Sequence, residues 1–175
     1  MLKGSQFPYW PYALAVGITL LDRLSKHLIE THLSPVDTIH VIPGFFQIVS
    51  TRNTGMAFSL FENSAQGHAS PWLILFSIAV IGVVIWMLMQ AIRLDPFENE
   101  PAHWSYRAGL ALVLGGAAGN LYDRLVSGSV TDFLDFYWGT AHFPAFNLAD
   151  SAITCGAILI LANLLFSRPR AGGWT

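Results

Sequence analysis

Apolar residues in this chain gather into four long runs separated by polar connections, a pattern that predicts helices. The first covers 9–29, apolar through Leu21 and then carrying Asp22, Arg23 and Lys26. The second, 71–92, holds no charged residue at all. The third covers 104–122 and leads into the polar group Asn120, Asp123 and Arg124. The fourth, 143–166, carries Asn147 and Asp150 in its first turns. A helix of about 20 residues crosses the roughly 30 Å hydrocarbon core of a bilayer, so each run has the length of a span. Buried helices of a soluble α protein would also be apolar, but the uncharged run 71–92 argues against that reading. Cleavage of the first run as a signal peptide is disfavoured too, because Ala13-Leu14-Ala15 lies inside the apolar run and not after it.

The connections are uneven. Within 30–70, the segments Thr38–Ile42 and Phe45–Thr51 are rich in β-branched and aromatic residues and are parted by Pro43-Gly44. That predicts a hairpin or small sheet. The run Gly55–Phe61 is apolar but too short to span, and is expected to lie along the membrane surface as a helix. The link 93–103 is polar with Pro96 and Pro101, and the tail 167–175 is expected to be loose. The expected fold is thus an all-α membrane protein: a four-transmembrane-helix bundle with a small extracytoplasmic β-sheet and a surface helix, in a single domain over 1–175.

Composition sharpens this. Hydrophobic residues make up 53% of the 175 and charged ones 11%, against about 25% charged in an average soluble domain. The net charge is −2 without clustered Lys and Arg, so no nucleic-acid footprint is present. The one cysteine, Cys155, can form neither an internal disulfide nor a multi-cysteine metal site. The side holding both termini and the 93–103 link carries Lys3, Arg93, Arg107, Arg168 and Arg170. The other side carries Arg23, Lys26, Arg52 and Arg124, which sit beside acids or amides (Asp22, Asn53, Asp123) as structural or site residues would. The positive-inside rule then places both termini in the cytoplasm.

Asp22, Lys26, Asn53, Asn120, Asp123, Arg124, Asp132, Asn147 and Asp150 all map near the outer ends of the spans or in outer connections. Ionisable groups at membrane depth cost at least about 2.5 kcal/mol at a helix centre, so they pair or line a polar cavity. Asp22 and Lys26, at i and i+4, read as a structural salt bridge. Asp123 and Arg124 are adjacent and diverge, so each is expected to bond another element. Asp132 and Asp150 differ: neither has a cation within one helical turn, and both sit among apolar residues. Two carboxyls held together in a low-dielectric site retain one proton between them, which suits amide hydrolysis without metal or covalent nucleophile. Asp135, three residues on, is the competing carboxylate and is expected to be the solvated one.

Other hydrolytic arrangements fit less well. No His-Glu-x-x-His or Gly-x-Ser-x-Gly motif occurs, the six histidines are scattered, and the adjacent Ser25-Lys26 point to different helix faces. A transporter or channel with a polar pathway stays open on these residues alone, as does a non-catalytic scaffold.

Five ordered segments strongly resemble the lipoprotein signal peptidase (type II signal peptidase) family of bacteria: Leu21–Lys26, Arg52–Phe58, Gly115–Arg124, Val130–Phe133 and Phe143–Ala152. The resemblance implies an aspartic endopeptidase of the bacterial inner membrane, without cofactor. It would cleave diacylglyceryl-modified prolipoproteins just before the lipidated cysteine. Asp132 and Asp150 match the catalytic pair; Asn53, Gly55, Asn120, Arg124 and Asn147 match polar positions lining the site; Asp22, Lys26 and Asp123 match supporting ones. Membrane lipids and peptide-like inhibitors such as globomycin are the implied partners, and a monomer suffices because one chain supplies both carboxylates. Arg23 stands where the family commonly has glutamine, and Met56 where it has a small residue.

Overall fold

The computed structural model describes residues 9–55, 70–93 and 101–166. Four helices occupy the apolar runs: α1 (Trp10–His32), α2 (Pro71–Arg93), α3 (Pro101–Val126) and α4 (Leu148–Phe166). Among the described residues four strands accompany them: β1 (Ile39–Ile42), β2 (Phe46–Asn53), β3 (Val130–Trp138) and β4 (Ala141–His142). The protein is therefore mostly helical with a small antiparallel sheet. The expected surface helix over Gly55–Phe61 falls, apart from Gly55, outside the described residues.

α3 is the central helix and packs against α1, α2 and α4. Leu110 and Ala111 of α3 are fully buried with Leu88 of α2, and Ala15 of α1 completes that cluster. Close approach of α1 to α3 depends on Gly119, where a Cβ would stand 2.5 Å from Asp22 Oδ2. At one end of the bundle Trp10 and Trp104 stack with ring centroids 5.0 Å apart.

The hairpin expected from Pro43-Gly44 is present: β1 pairs antiparallel with β2, and Gly44 takes φ +81° at the turn. The sheet extends further than that hairpin. Its order is β1-β2-β3-β4, so Val130–Trp138, treated above as part of an outer connection, is a central strand. Its run of Val, Thr, Phe and Tyr favours a pleated, packed surface. The last apolar run also begins differently from expectation, since α4 starts at Leu148 and not at 143. Phe146 instead exchanges backbone hydrogen bonds with Leu134, at 2.8 and 3.1 Å, and Phe143 N donates to Phe136 O. Stacking of Phe136 on Phe46 and on Phe146 ties β2, β3 and the approach to α4 together.

Candidate active site

The site forms where β3 meets the N-terminus of α4. Asn147 precedes the first turn of α4, and its Oδ1 accepts from Asp150 N at 3.0 Å. Asp150 Oδ2 in turn accepts from Asn147 N at 3.3 Å. This is a reciprocal capping box, with Asn as cap and Asp three residues on. The i, i+3 spacing read above as one helix face is thus a helix start. The cap leaves the Asn147 amide nitrogen free to point at β3, where it donates to Asp132 Oδ1 at 2.7 Å. Asn147 is fully buried and therefore holds both aspartates at once.

Asp132 lies on a strand, not at a helix end. β2 and β3 run in register from Asn53–Val130 to Thr51–Asp132, then shift before the Ile48–Leu134 pair. β2 spends three residues there where β3 spends two, which is a β-bulge beside Asp132. Bulges re-aim neighbouring side chains. Asn53, diagonal to Asp132, donates Nδ2 to Asp132 Oδ2 at 3.0 Å, and its Oδ1 accepts from Gly55 N at 3.0 Å. Both oxygens of Asp132 are therefore held by amides. The residue is 3% exposed. Burial pushes its carboxyl up to about 6, with the nearby Asp150 charge adding to the rise while the Asn53 and Asn147 donors and the Lys26 charge oppose it.

Behind Asp150 lies a second polar layer. Asn120 Nδ2 donates to Asp150 Oδ1 at 2.8 Å, while its Oδ1 accepts from Lys26 Nζ at 2.9 Å. Lys26 also pairs with Asp22 Oδ2 and Asp123 Oδ2, each at 2.7 Å. The expected i, i+4 bridge is thus part of a larger cluster. Asp22 Oδ1 accepts from Ala149 N at 2.9 Å, one of the amides α4 leaves unpaired at its start. Asp123 bonds another helix as expected, through Lys26 and Arg23. Arg124 departs from that expectation: its Nη1 donates to Asn120 O of its own helix at 3.2 Å, with its charge near Asp150, Asp132 and Asp123.

Asp135 is not solvated. It is 6% exposed and lies on the opposite face of β3, where Gln47 Nε2 meets its Oδ2 at 2.7 Å and His142 Nδ1 meets it at 2.9 Å. Alternation along the strand explains this, since residues three apart point to opposite faces. Sequence reasoning missed that pair, the Thr131–Glu30 hydrogen bond that ties β3 to the end of α1, and the role of Arg23 as an ion-pair partner. Among the described residues no cluster of His, Cys, Asp and Glu could hold a metal ion.

A buried carboxyl, Asp132, and a half-buried one, Asp150, bridged by one asparagine at the junction of a helical bundle and a small sheet, form the kind of paired-carboxyl arrangement that a hydrolase can use. Comparison with known proteins agrees. The family model described as Signal peptidase (SPase) II matches residues 14–166. The lipoprotein signal peptidase of Solibacter usitatus (strain Ellin6076) is 45% identical over 159 residues, covering 91% of each chain. That of Francisella tularensis subsp. novicida (strain U112) is 38% identical and covers 91% of this chain and 94% of its own. A solved structure described as a bacterial membrane enzyme, obtained by the in meso method at 2.3 Å, superposes with a TM-score of 0.74. It is 29% identical over 91% of this chain and 92% of its own. A second, at 1.9 Å, gives a TM-score of 0.68 and 33% identity over 90% and 94%. The chain belongs to the signal peptidase II family, a family of proteases. Neither the transporter reading nor the non-catalytic scaffold survives that membership.

Proposed function

We propose that this protein removes the signal peptide from diacylglyceryl-modified prolipoproteins, cutting just before the lipidated cysteine, with Asp132 and Asp150 as the catalytic pair. The observation that carries the reading is Asn147, which holds Asp132 Oδ1 through its side chain and closes the capping box with Asp150. One carboxyl, ionised, takes a proton from water as the oxygen adds to the scissile carbonyl carbon. The other, protonated, gives its proton to the carbonyl oxygen. Collapse of the diol transfers a proton to the cysteine nitrogen and breaks the C–N bond, leaving a peptide carboxylic acid and a free amino terminus. Asn53, Gly55, Asn120, Arg124 and Asn147 line the site; Asp22, Lys26 and Asp123 support it from behind.

All four helices are proposed to span the bacterial inner membrane as one domain, with both termini cytoplasmic and the sheet and the aspartates near the outer face. α2 and α4 are apolar enough by themselves, with mean hydropathies of 2.6 and 1.8 over their most apolar 18 residues. α1 and α3 carry more charge, but Asp22, Lys26, Asp123 and Arg107 are buried while Leu20, Leu24 and Leu125 face outward. An apolar exterior around a charged interior suits lipid as the solvent. Acyl chains anchor the substrate at about 0.8 kcal/mol per buried methylene, so enzyme and substrate meet in the membrane plane. A peptide-like inhibitor such as globomycin would occupy the same site, in a monomer.

The test is a gel-shift assay of purified protein with a lipidated precursor and its unlipidated form. Cleavage of the lipidated form alone, releasing a product that begins at the modified cysteine, is expected. An intact lipidated precursor, or cleavage elsewhere, would refute the reading.

A further inference from the structure

The buried charges where α1 meets α3 balance in a way that singles out Arg23. Asp22 and Lys26 are fully buried and Asp123 is 2% exposed, so these three alone would bury one net negative charge. Lys26 Nζ donates hydrogen bonds to Asp22 Oδ2 and Asn120 Oδ1, and lies 2.7 Å from Asp123 Oδ2 as an ion pair without hydrogen-bond geometry. Arg23 supplies the missing positive charge. Its side chain, 26% exposed, pairs with Asp123 Oδ1, the oxygen Lys26 does not take. Its guanidinium lies 4.6 Å from the centroid of the Tyr122 ring. A guanidinium fits both contacts, meeting a carboxylate with its edge and an aromatic ring with its face.

Resting on the proposed function, we infer that Arg23 is a positioning residue for the aspartate pair. By neutralising Asp123 it leaves Lys26 to donate to Asp22 and Asn120, and Asn120 in turn holds Asp150. Without it, Asp123 competes for Lys26, and the link from Lys26 through Asn120 to Asp150 weakens.

The charged groups around the pair are Asp22, Arg23, Lys26 and Glu30 on α1, Arg52 on β2 opposite Thr131, and Asp123 and Arg124 on α3. Excluding Asp132 and Asp150 themselves, these seven sum to +1, and to zero once Arg23 is neutral. Loss of a positive charge strengthens proton binding at the pair, so both limbs of the pH profile move to higher pH.

The test is kcat/KM against pH on a synthetic diacylglyceryl lipopeptide, with Tm measured alongside, for wild type, R23Q, R23K and R23Q/D123N. R23Q is expected to move both limbs up by roughly half a pH unit. R23K keeps the charge and should keep the wild-type limbs even where its Tm falls. R23Q/D123N removes anion and cation together and should return the limbs toward wild type. A purely structural anchor would instead lower turnover by one factor at every pH, and that result for R23Q would overturn the inference. So would R23K shifted, or R23Q/D123N still shifted; these two variants decide the matter should R23Q fail to fold. Wild type that cuts the lipopeptide while R23Q keeps wild-type limbs defeats this inference alone. Wild type that leaves it intact defeats the proposed function and this inference with it.

Discussion

Replacement of Asn147 separates two jobs that one buried side chain performs. Its Oδ1 caps α4 through Asp150 N at 3.0 Å, and its Nδ2 donates to Asp132 Oδ1 at 2.7 Å. Loss of an N-cap costs about 1 kcal/mol, and a hydrogen bond to a charged group contributes about 1.5–3 kcal/mol. N147A should therefore lose roughly 2.5–4 kcal/mol of stability. N147S restores an oxygen that can cap but no amide donor for Asp132. It should recover about 1 kcal/mol of that stability, yet leave turnover low. If the lost donor acts fully in the transition state, turnover falls roughly 10- to 150-fold in both variants. Thermal unfolding in detergent measures the first quantity, and the lipidated-precursor gel shift at saturating substrate measures the second. N147A with wild-type turnover, or N147S restoring stability and turnover together, would refute the reasoning.

Four further outcomes follow from the structure. Burial raises Asp132 from 3.8 to about 6, so the pair gives up the proton that one of its carboxyls must hold as pH rises through that region. kcat/KM should fall on the alkaline side, and a flat profile between pH 5 and 8 would contradict this. The same raised value means the folded state binds the proton more tightly than the unfolded chain. The Asp132 contribution to stability is therefore present below about 4 and lost as pH rises to about 6, which Tm against pH will show. D135N should keep turnover of the folded enzyme within about twofold of wild type, because Asp135, though buried against Gln47 and His142, faces away from the pair; loss comparable to D132N would overturn that placement. G119A places a Cβ against Asp22 Oδ2 and should cost about 1–3 kcal/mol, read as a lower Tm; an unchanged Tm would show that α1 can move aside.

The helices were legible because four apolar runs of spanning length leave little else to build, and the β1–β2 turn because Pro43-Gly44 punctuates it. β3 was harder to see. Val130, Thr131, Asp132 and Phe133 are all buried, so the strand lacks the alternation that marks a half-exposed strand. The start of α4 was misjudged because Asn147 looked like part of the helix, whereas its side chain caps it. In the site, the local pair Asp22–Lys26 could be read from spacing, and the isolation of Asp132 and Asp150 from nearby cations set them apart. Contacts between distant segments could not be read that way. Arg23 meets Asp123 across 100 residues and Gln47 meets Asp135 across 88. Which face of β3 each aspartate occupies follows only once the strand and its bulge are in place.

Asp132 and Asp150 act as one catalytic unit in the proposed reaction. The most direct measurement is cleavage of a lipidated precursor by D132N and by D150N, each purified and shown by thermal unfolding to be folded. Each single change should lower turnover by roughly 100- to 10,000-fold. Either variant folded and still within about tenfold of wild type would contradict it.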